Sequence, residues 1–323
     1  MKKIKIKVAL VTGAAGFVGS NLVDFLLKKK IKVIGIDNLK TGKKIFLENA
    51  FKNKNFTFFK VDLLSLKPFS KIFNKNIDIV YHLAANADVR FGLKNPRRDI
   101  DQNILCTFNV LEASKKNKIK NIVFSSTGSV YGEAETIPTK ENASFPIQTS
   151  IYGASKLASE GLISAYCEGY NMRCWIFRFV SILGPRYTHG HVYDFYKKLM
   201  NNPNELFILG NGKQKKSYLH VYDCINAMHV AIKKKTRKKI NIFNLGTDDY
   251  CQVNDSVKWI SNILSLSPNL KYSGGKRGWI GDNPFIYLDT KKIRLLGWKP
   301  KFSIKKSVED TVNYFLKNKW IFK

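Results

Sequence analysis

The segment Tyr152-Gly153-Ala154-Ser155-Lys156 sets a phenol and an ammonium four residues apart, on one face of a helix. A cation beside a phenol stabilises the phenolate and lowers its pKa, giving a general base near neutral pH. Spacing alone does not single the pair out. With 14 tyrosines and 46 lysines in 323 residues, about two such pairs arise by chance, and four are present, the others starting at Tyr193, Tyr272 and Tyr287. Context decides: only Tyr152 opens a helix of small residues downstream of a hydroxyl cluster at a strand end, Ser125-Ser126-Thr127-Gly128-Ser129-Val130-Tyr131-Gly132.

A second chemical signal lies near the start of the chain. Val8-Ala9-Leu10-Val11-Thr12 runs into Gly13-Ala14-Ala15-Gly16-Phe17-Val18-Gly19, after which a helix opens. In such a turn Gly13 permits the tight bend, Gly16 lets backbone amides approach a pyrophosphate at the positive helix end, and Gly19 lets the helix pack close to the sheet. The following strand, Val33-Ile34-Gly35-Ile36, ends in Asp37, 18 residues past Gly19. A carboxylate there accepts both adenosine ribose hydroxyls and repels a 2′-phosphate, which predicts NAD rather than NADP; Lys40 and Lys43 fall later, in the loop. Asp62-Leu63 closes the third strand, where a carboxylate can meet the adenine amino group or simply cap the next turn. His82-Leu83-Ala84-Ala85 follows the fourth. Its small residues let backbone lie against phosphates and ribose, while a histidine in this setting is more often a satisfied core residue than a ligand.

These groups need a scaffold that delivers strand ends to one crevice. Strand-like runs at Ile6–Val11, Lys32–Ile36, Thr57–Val61, Ile77–Tyr81 and Asn121–Ser125 alternate with helix-like segments such as Gly16–Lys29 and Arg98–Lys116. That alternation predicts an α/β fold, a doubly wound parallel sheet of the Rossmann type, with ligands at the carboxyl ends of the strands. A helix over Tyr152–Tyr170, a strand around Trp175–Phe179, and turns at Gly184-Pro185 and Gly210-Asn211-Gly212 follow in a less regular second half. The expected division is a cofactor domain over residues 1–178 with a returning segment at about 218–247, and a smaller α/β substrate lobe from 179–217 and 248–323.

Composition narrows the classes. At 44% apolar and 13% aromatic the chain can build a large core, and no apolar run approaches the ~20 residues of a membrane-spanning helix. The start, Met1-Lys2-Lys3-Ile4-Lys5, is not a signal segment. The five cysteines form neither a Cys-x-x-Cys pair nor a zinc pattern, so the cytoplasm is the expected setting. The net charge of +31 comes mainly from lysine, 46 of 55 basic residues, spread along the whole chain with many Asn and Ile. This is the bias of an A/T-rich genome rather than a specific nucleic-acid surface; the run Lys233–Lys239 reads as a solvated helix end.

With these segments in view, the sequence resembles the extended short-chain dehydrogenase/reductase family, and within it the UDP-glucose 4-epimerase type of nucleotide-sugar enzyme. The resemblance rests on Thr12–Gly19, His82–Arg90, Asn103 with Asn109–Ala113, Ser125–Gly132, Tyr152–Lys156, Arg178–Arg186, Gly210–Asp223 and Gly281–Pro300. It implies that Tyr152 takes a proton from a sugar hydroxyl while C4 hydride passes to NAD, that Lys156 holds the nicotinamide ribose and depresses the tyrosine pKa, and that Thr127 bonds the reacting oxygen. The cofactor contacts it implies are Gly13, Gly16, Phe17, Val18, Gly19, Asp37, Asn38, Asp62, Leu63, Leu83, Ala84, Ala85, Asn103, Ser125, Tyr152 and Lys156. A nucleotide-diphosphate sugar is the implied substrate, bound through Arg90, Thr127, Ser181, Lys216 and Arg277. Homodimerisation is implied through the helices around Arg98–Lys116 and Tyr152–Tyr170.

Departures from the family pattern refine the expectation. Dehydratases of this family carry Asp-Glu directly after the catalytic threonine, and decarboxylases Glu at the second position; Gly128 and Ser129 stand here. This leaves C4 chemistry, as reversible epimerisation or as net oxidation to a 4-keto sugar. Ser181 replaces a common Asn, and Lys216-Ser217-Tyr218 a common Arg-Asp-Tyr, so a point charge replaces a bidentate fork. Trp279 can stack on a ring or anchor its loop, and Ile286 falls at a position that gates sugar size. His189-Gly190-His191 lacks a third ligand and predicts no metal. Outside enzymology, a polyanion-binding Rossmann relative is the remaining alternative.

Overall fold

The computed structural model describes residues 4–65, 71–74, 76–144, 147–275, 278 and 285–322, with the side chains of residues 90 and 91 outside that description. Strands that read as almost unbroken apolar runs suit the middle of a parallel sheet, covered on both faces. Seven of them build that sheet: β1 (Val8–Thr12), β2 (Lys32–Asp37), β3 (Phe56–Lys60), β4 (Ile79–His82), β5 (Asn121–Thr127), β6 (Arg173–Phe179) and β11 (Ile240–Leu245). Their order is β11-β6-β5-β4-β1-β2-β3 and every pair is parallel. The chain winds outwards from β1 to β3, then returns to β4 on the other side. The order therefore reverses between β1 and β4, where doubly wound sheets bind ligands.

Helices cover both faces. On one, α1 (Phe17–Lys28) packs with α5 (Val221–Lys233) against a core that includes Val11, Val23, Trp175 and Met228. On the other, α2 (Cys106–Lys116) and α3 (Ile151–Gly169) close a second core around Leu10, Ile122, Ile163 and Ile176. A third cluster belongs to the smaller lobe, in which α4 (His191–Asn201), α6 (Val253–Leu264) and α7 (Ile304–Lys317) pack on one another. The remaining strands are short and pairwise: β7 (Ser181–Leu183) with β10 (Tyr218–His220), β9 (Lys215–Lys216) with β12 (Cys251–Gln252), and β8 (Glu205–Ile208) with β13 (Asn269–Tyr272). Among the described residues no helix is long and apolar enough to cross a membrane.

Two details differ from the sequence reading. β1 and β4 begin two residues later than expected, and β4 and β5 run on through His82 and Thr127. The segment expected as one helix over Arg98–Lys116 is instead Pro96–Asp99, a π-helical stretch Ile100–Leu105, and then α2. Within that stretch the Asn103 carbonyl accepts from Thr107 Oγ1 at 2.5 Å and Ser159 Oγ at 3.1 Å. The basic run does begin at a helix end, since Lys233 is the last residue of α5.

Candidate active site

A crevice of about 840 Å³ runs along the carboxyl ends of β1, β2, β4 and β5 and under the smaller lobe, near the upper end of the range for small-molecule sites. Its first wall is the turn after β1. Gly13 has φ +68°, and a Cβ there would meet the Ala84 nitrogen at 2.8 Å. A Cβ on Gly19 would stand 1.9 Å from the Gly13 carbonyl oxygen, so only glycine lets α1 seat against the turn. The amino end of α1 has no side-chain cap from Gly16 and no acidic residue in its first turn, so its N–H groups and dipole favour an anion. Gly16, Phe17, Val18, Leu83, Ala84 and Ala85 line the same stretch.

Asp37 sits at the end of β2, almost fully buried. Its carboxylate accepts from Ala15 N at 2.9 Å and Leu39 N at 2.8 Å. Burial nevertheless raises its pKa above the ordinary value. Lone pairs remain for the hydroxyls of a ribose. Asp62 is pulled the other way: burial is outweighed by Leu64 N–H, Lys40 Nζ and Asn38 Nδ2, which hold it below the usual value. Lys40 thus pairs with Asp62 at 2.9 Å. His82 is a core residue, its ring between Thr12 Oγ1 (2.8 Å) and Thr107 Oγ1 (3.0 Å), and burial drives its pKa down to about 3.

The hydroxyl cluster and the helix pair meet across this crevice. Ser150 caps α3 by accepting from Gly153 N at 3.0 Å, which sets Tyr152 in the first turn. The phenol is hydrogen-bonded with the Thr127 side chain, and Ser129 N donates to Thr127 Oγ1 at 3.1 Å. Lys156, one turn along and buried, donates from Nζ to the Ser125 carbonyl at 2.8 Å and lies 4.7 Å from the Phe124 ring centroid. Behind it Glu160 accepts from Ser126 Oγ and forms a buried ion pair with Arg178 at 2.7 Å.

One electrostatic expectation is corrected. Burial pushes the Tyr152 phenol up to about 12, with Thr127 pulling against it and the Asp99 carboxylate adding to the rise. The same burial pulls Lys156 down to about 7, against Glu160 and Asp99. Within this chain, desolvation outweighs any acidification of the phenol by its lysine neighbour.

Of the remaining residues named from sequence, Asn38, Leu63, Ser125, Ser181 and Lys216 line the crevice. Asn103 is fully buried behind it: its Oδ1 accepts from Asn86 N at 2.9 Å and its Nδ2 donates to Ser155 Oγ at 2.8 Å. Arg277, Trp279 and the side chain of Arg90 lie outside the described residues. A Cβ on Gly128 would come 2.6 Å from Ile286 Cγ2 and 3.2 Å from the Phe179 carbonyl oxygen. His191 stacks on Tyr218, with Tyr218 Oη 3.0 Å from its Nδ1, and no cluster of three His, Cys, Asp or Glu side chains suited to a metal occurs among the described residues.

Sequence reasoning missed three groups: Asp99, the Glu160–Arg178 pair, and the aromatic bridge of Phe17 to Tyr187, 5.4 Å apart, which joins α1 to the smaller lobe. Glu160 had a signal, since it follows Lys156 at helical spacing on the buried face. Asp99 had none.

Known proteins share this architecture along nearly the whole chain. A putative UDP-glucose 4-epimerase of Methanocaldococcus jannaschii is 34% identical over 315 residues, covering 96% of this chain and 98% of its relative. The structure of the Thermotoga maritima UDP-glucose 4-epimerase with UDP-glucose superposes with a TM-score of 0.86 at 32% identity, covering 96% of this chain and 99% of that one. The Bacillus cereus UDP-glucuronic acid 4-epimerase, solved with UDP-glucuronic acid and NAD, gives 0.86 at 30% identity with the same coverage. The match to the family as a whole spans residues 9–246, from β1 through the returning strand β11. A glycine turn, a ribose-ready carboxylate and a Thr–Tyr–Lys cluster on one sheet thus have their explanation in descent: the chain belongs to the NAD dependent epimerase/dehydratase family.

Proposed function

We propose that the protein is an NAD-dependent UDP-sugar 4-epimerase. The observation that carries this reading is the convergence of Thr127, Tyr152 and Lys156 on the crevice whose opposite end is the glycine turn and Asp37. NAD would be held by the turn at Gly13–Gly19, Asp37, Asp62 and the Leu83–Ala85 backbone, and would supply the acceptor that removes the C4 hydride from the sugar and gives it back. Tyr152, driven towards phenolate by Lys156 and by the positive charge that bound NAD would bring beside it, accepts the proton of the C4 hydroxyl, and Thr127 hydrogen-bonds that oxygen. Lys156 anchors ribose hydroxyls and supplies a cation beside the phenol. The 4-keto sugar then presents its other face, and Tyr152 gives the proton back. Ser181 and Lys216 contact the diphosphate or sugar; Arg277 and Arg90 complete that set. Gly128 supports epimerisation over elimination, because no acid follows Thr127.

Further parts of the reading follow. The cofactor domain comprises 1–178 and a return at about 218–247, supported by the seat of β11 beside β6, with 179–217 and 248–323 forming the substrate lobe. A homodimer covers the half-exposed Ile100, Leu105 and Phe108 near α2 and Tyr170 after α3. The protein works in the cytoplasm.

The test is direct. Purified protein with NAD is incubated with UDP-glucose, UDP-N-acetylglucosamine and UDP-glucuronic acid, and epimer formation is followed by chromatography. The expected result is conversion to an equilibrium mixture without net NAD reduction. Stoichiometric NADH with no epimer overturns the reading in favour of a C4 dehydrogenase.

A further inference from the structure

Behind the crevice lies a carboxylate that the reaction above does not use. Asp99 is fully buried, at the end of the helical stretch Pro96–Asp99. Its Oδ1 accepts from Asn86 Nδ2 at 2.6 Å and lies 3.5 Å from Asn103 Nδ2. Among the described residues its Oδ2 has no hydrogen-bond partner, and it faces Gly92, where a Cβ would come within 2.1 Å of it. A carboxylate oxygen sealed from water without a donor is costly, so its retention calls for a reason.

The hydrogen bonds around it lead to the reacting groups. Asn86 lines the crevice, and its backbone N–H donates to Asn103 Oδ1 at 2.9 Å. Asn103 Nδ2 donates to Ser155 Oγ at 2.8 Å, which in turn donates to the Tyr152 carbonyl at 2.8 Å. Burial raises the Asp99 carboxyl above its ordinary value and Asp88, from the loop after β4, adds to the rise, while the Asn86 hydrogen bond, Arg98 beside it in the chain and Lys156 from α3 favour its charged form. Tyr152 from the same helix also feels its field. Lys156 also faces Glu160 one turn along α3, whose charge favours the ammonium, and His82, which burial keeps neutral.

We propose that Asp99 is a positioning residue for the epimerase reaction: through Asn86, Asn103 and Ser155 it fixes the first turn of α3, and with it Tyr152, in front of a buried carboxylate. The proposal rests on the function assigned above. The sign of the carboxylate's effect on Tyr152 and Lys156 is fixed by Coulomb's law. Removing a nearby negative charge makes the phenolate easier to form and the ammonium harder to keep, so both groups titrate at lower pH.

Asp99→Asn keeps an acceptor for Asn86 and loses the charge; Asp99→Ser, smaller and still an acceptor, serves if the first variant does not fold. Two readouts are taken on the full chain. In the NAD-loaded protein, both limbs of the kcat/KM profile for a UDP-sugar are expected to move acidward by about one pH unit, about a tenfold gain at a fixed pH on the acid limb. Independently of turnover, ultraviolet difference titration, with Tyr152→Phe as the blank, is expected to show the Tyr152 phenolate forming at lower pH. A variant folded by circular dichroism whose phenolate midpoint stays in place, or moves alkaline, overturns the proposal. If wild-type protein epimerises no UDP-sugar, the functional reading fails, yet the phenolate titration still decides the role of Asp99.

Discussion

The two ends of the crevice are built differently. The cofactor end is made of backbone: the ends of four parallel strands, a helix amino terminus, and residues small enough to leave the main chain bare, with Asp37 and Asp62 as the fixed charges. The end under the smaller lobe is made of side chains carried by two- and three-residue strands, such as Ser181 and Lys216, and by the start of α4, such as His191. A backbone cradle is set by the sheet and tolerates little change. A side-chain wall is adjustable at each position.

The contrast can be broken or sharpened by substitution. The largest effect is expected where the two ends meet: Tyr152→Phe lowers kcat by about 100- to 10,000-fold with NAD affinity retained, as steady-state kinetics and calorimetry will show. Gly19→Ala, which drives a Cβ into the Gly13 carbonyl, is expected to cost about 1–3 kcal/mol of stability and to abolish NAD retention, read by thermal melting and by cofactor content after gel filtration. Next comes Asp37→Ala. Loss of charge-assisted bonds to ribose is expected to weaken NAD by roughly 10- to 100-fold while the sugar KM holds. Smallest is Lys216→Ala, for which a rise in UDP-sugar KM of about tenfold with unchanged NAD affinity is expected. Equal damage to both affinities by Lys216→Ala would erase the distinction between the two ends.

Much of the first end was legible in the sequence and little of the second, for the same physical reason. Strand–helix alternation fixes a parallel sheet, and a parallel sheet fixes where its carboxyl ends point. Thr12, Gly13, Asp37, Asp62 and Leu83 could thus be brought together from chain order alone. Tyr152 and Thr127 followed because one opens a helix and the other closes a strand. The π-helical stretch that carries Asn103, buried against Ser155 of α3, has no signature in the residue pattern. Asp99 was invisible because its surroundings come from Asn86, Gly92 and Asn103, on three separate segments. In the smaller lobe the paired strands are too short to show a period, so pairings such as Lys216 with Cys251 emerge only from the fold.

Gly128 carries a lesson about how this enzyme family can diverge. The space that a side chain would need there is held by Ile286, which arrives from a distant part of the sequence. Installing an acid after Thr127 alone wedges it into an aliphatic neighbour; trimming Ile286 alone opens a hole beside the sugar. The position after Thr127 is therefore open to a side chain only where its aliphatic neighbour changes as well.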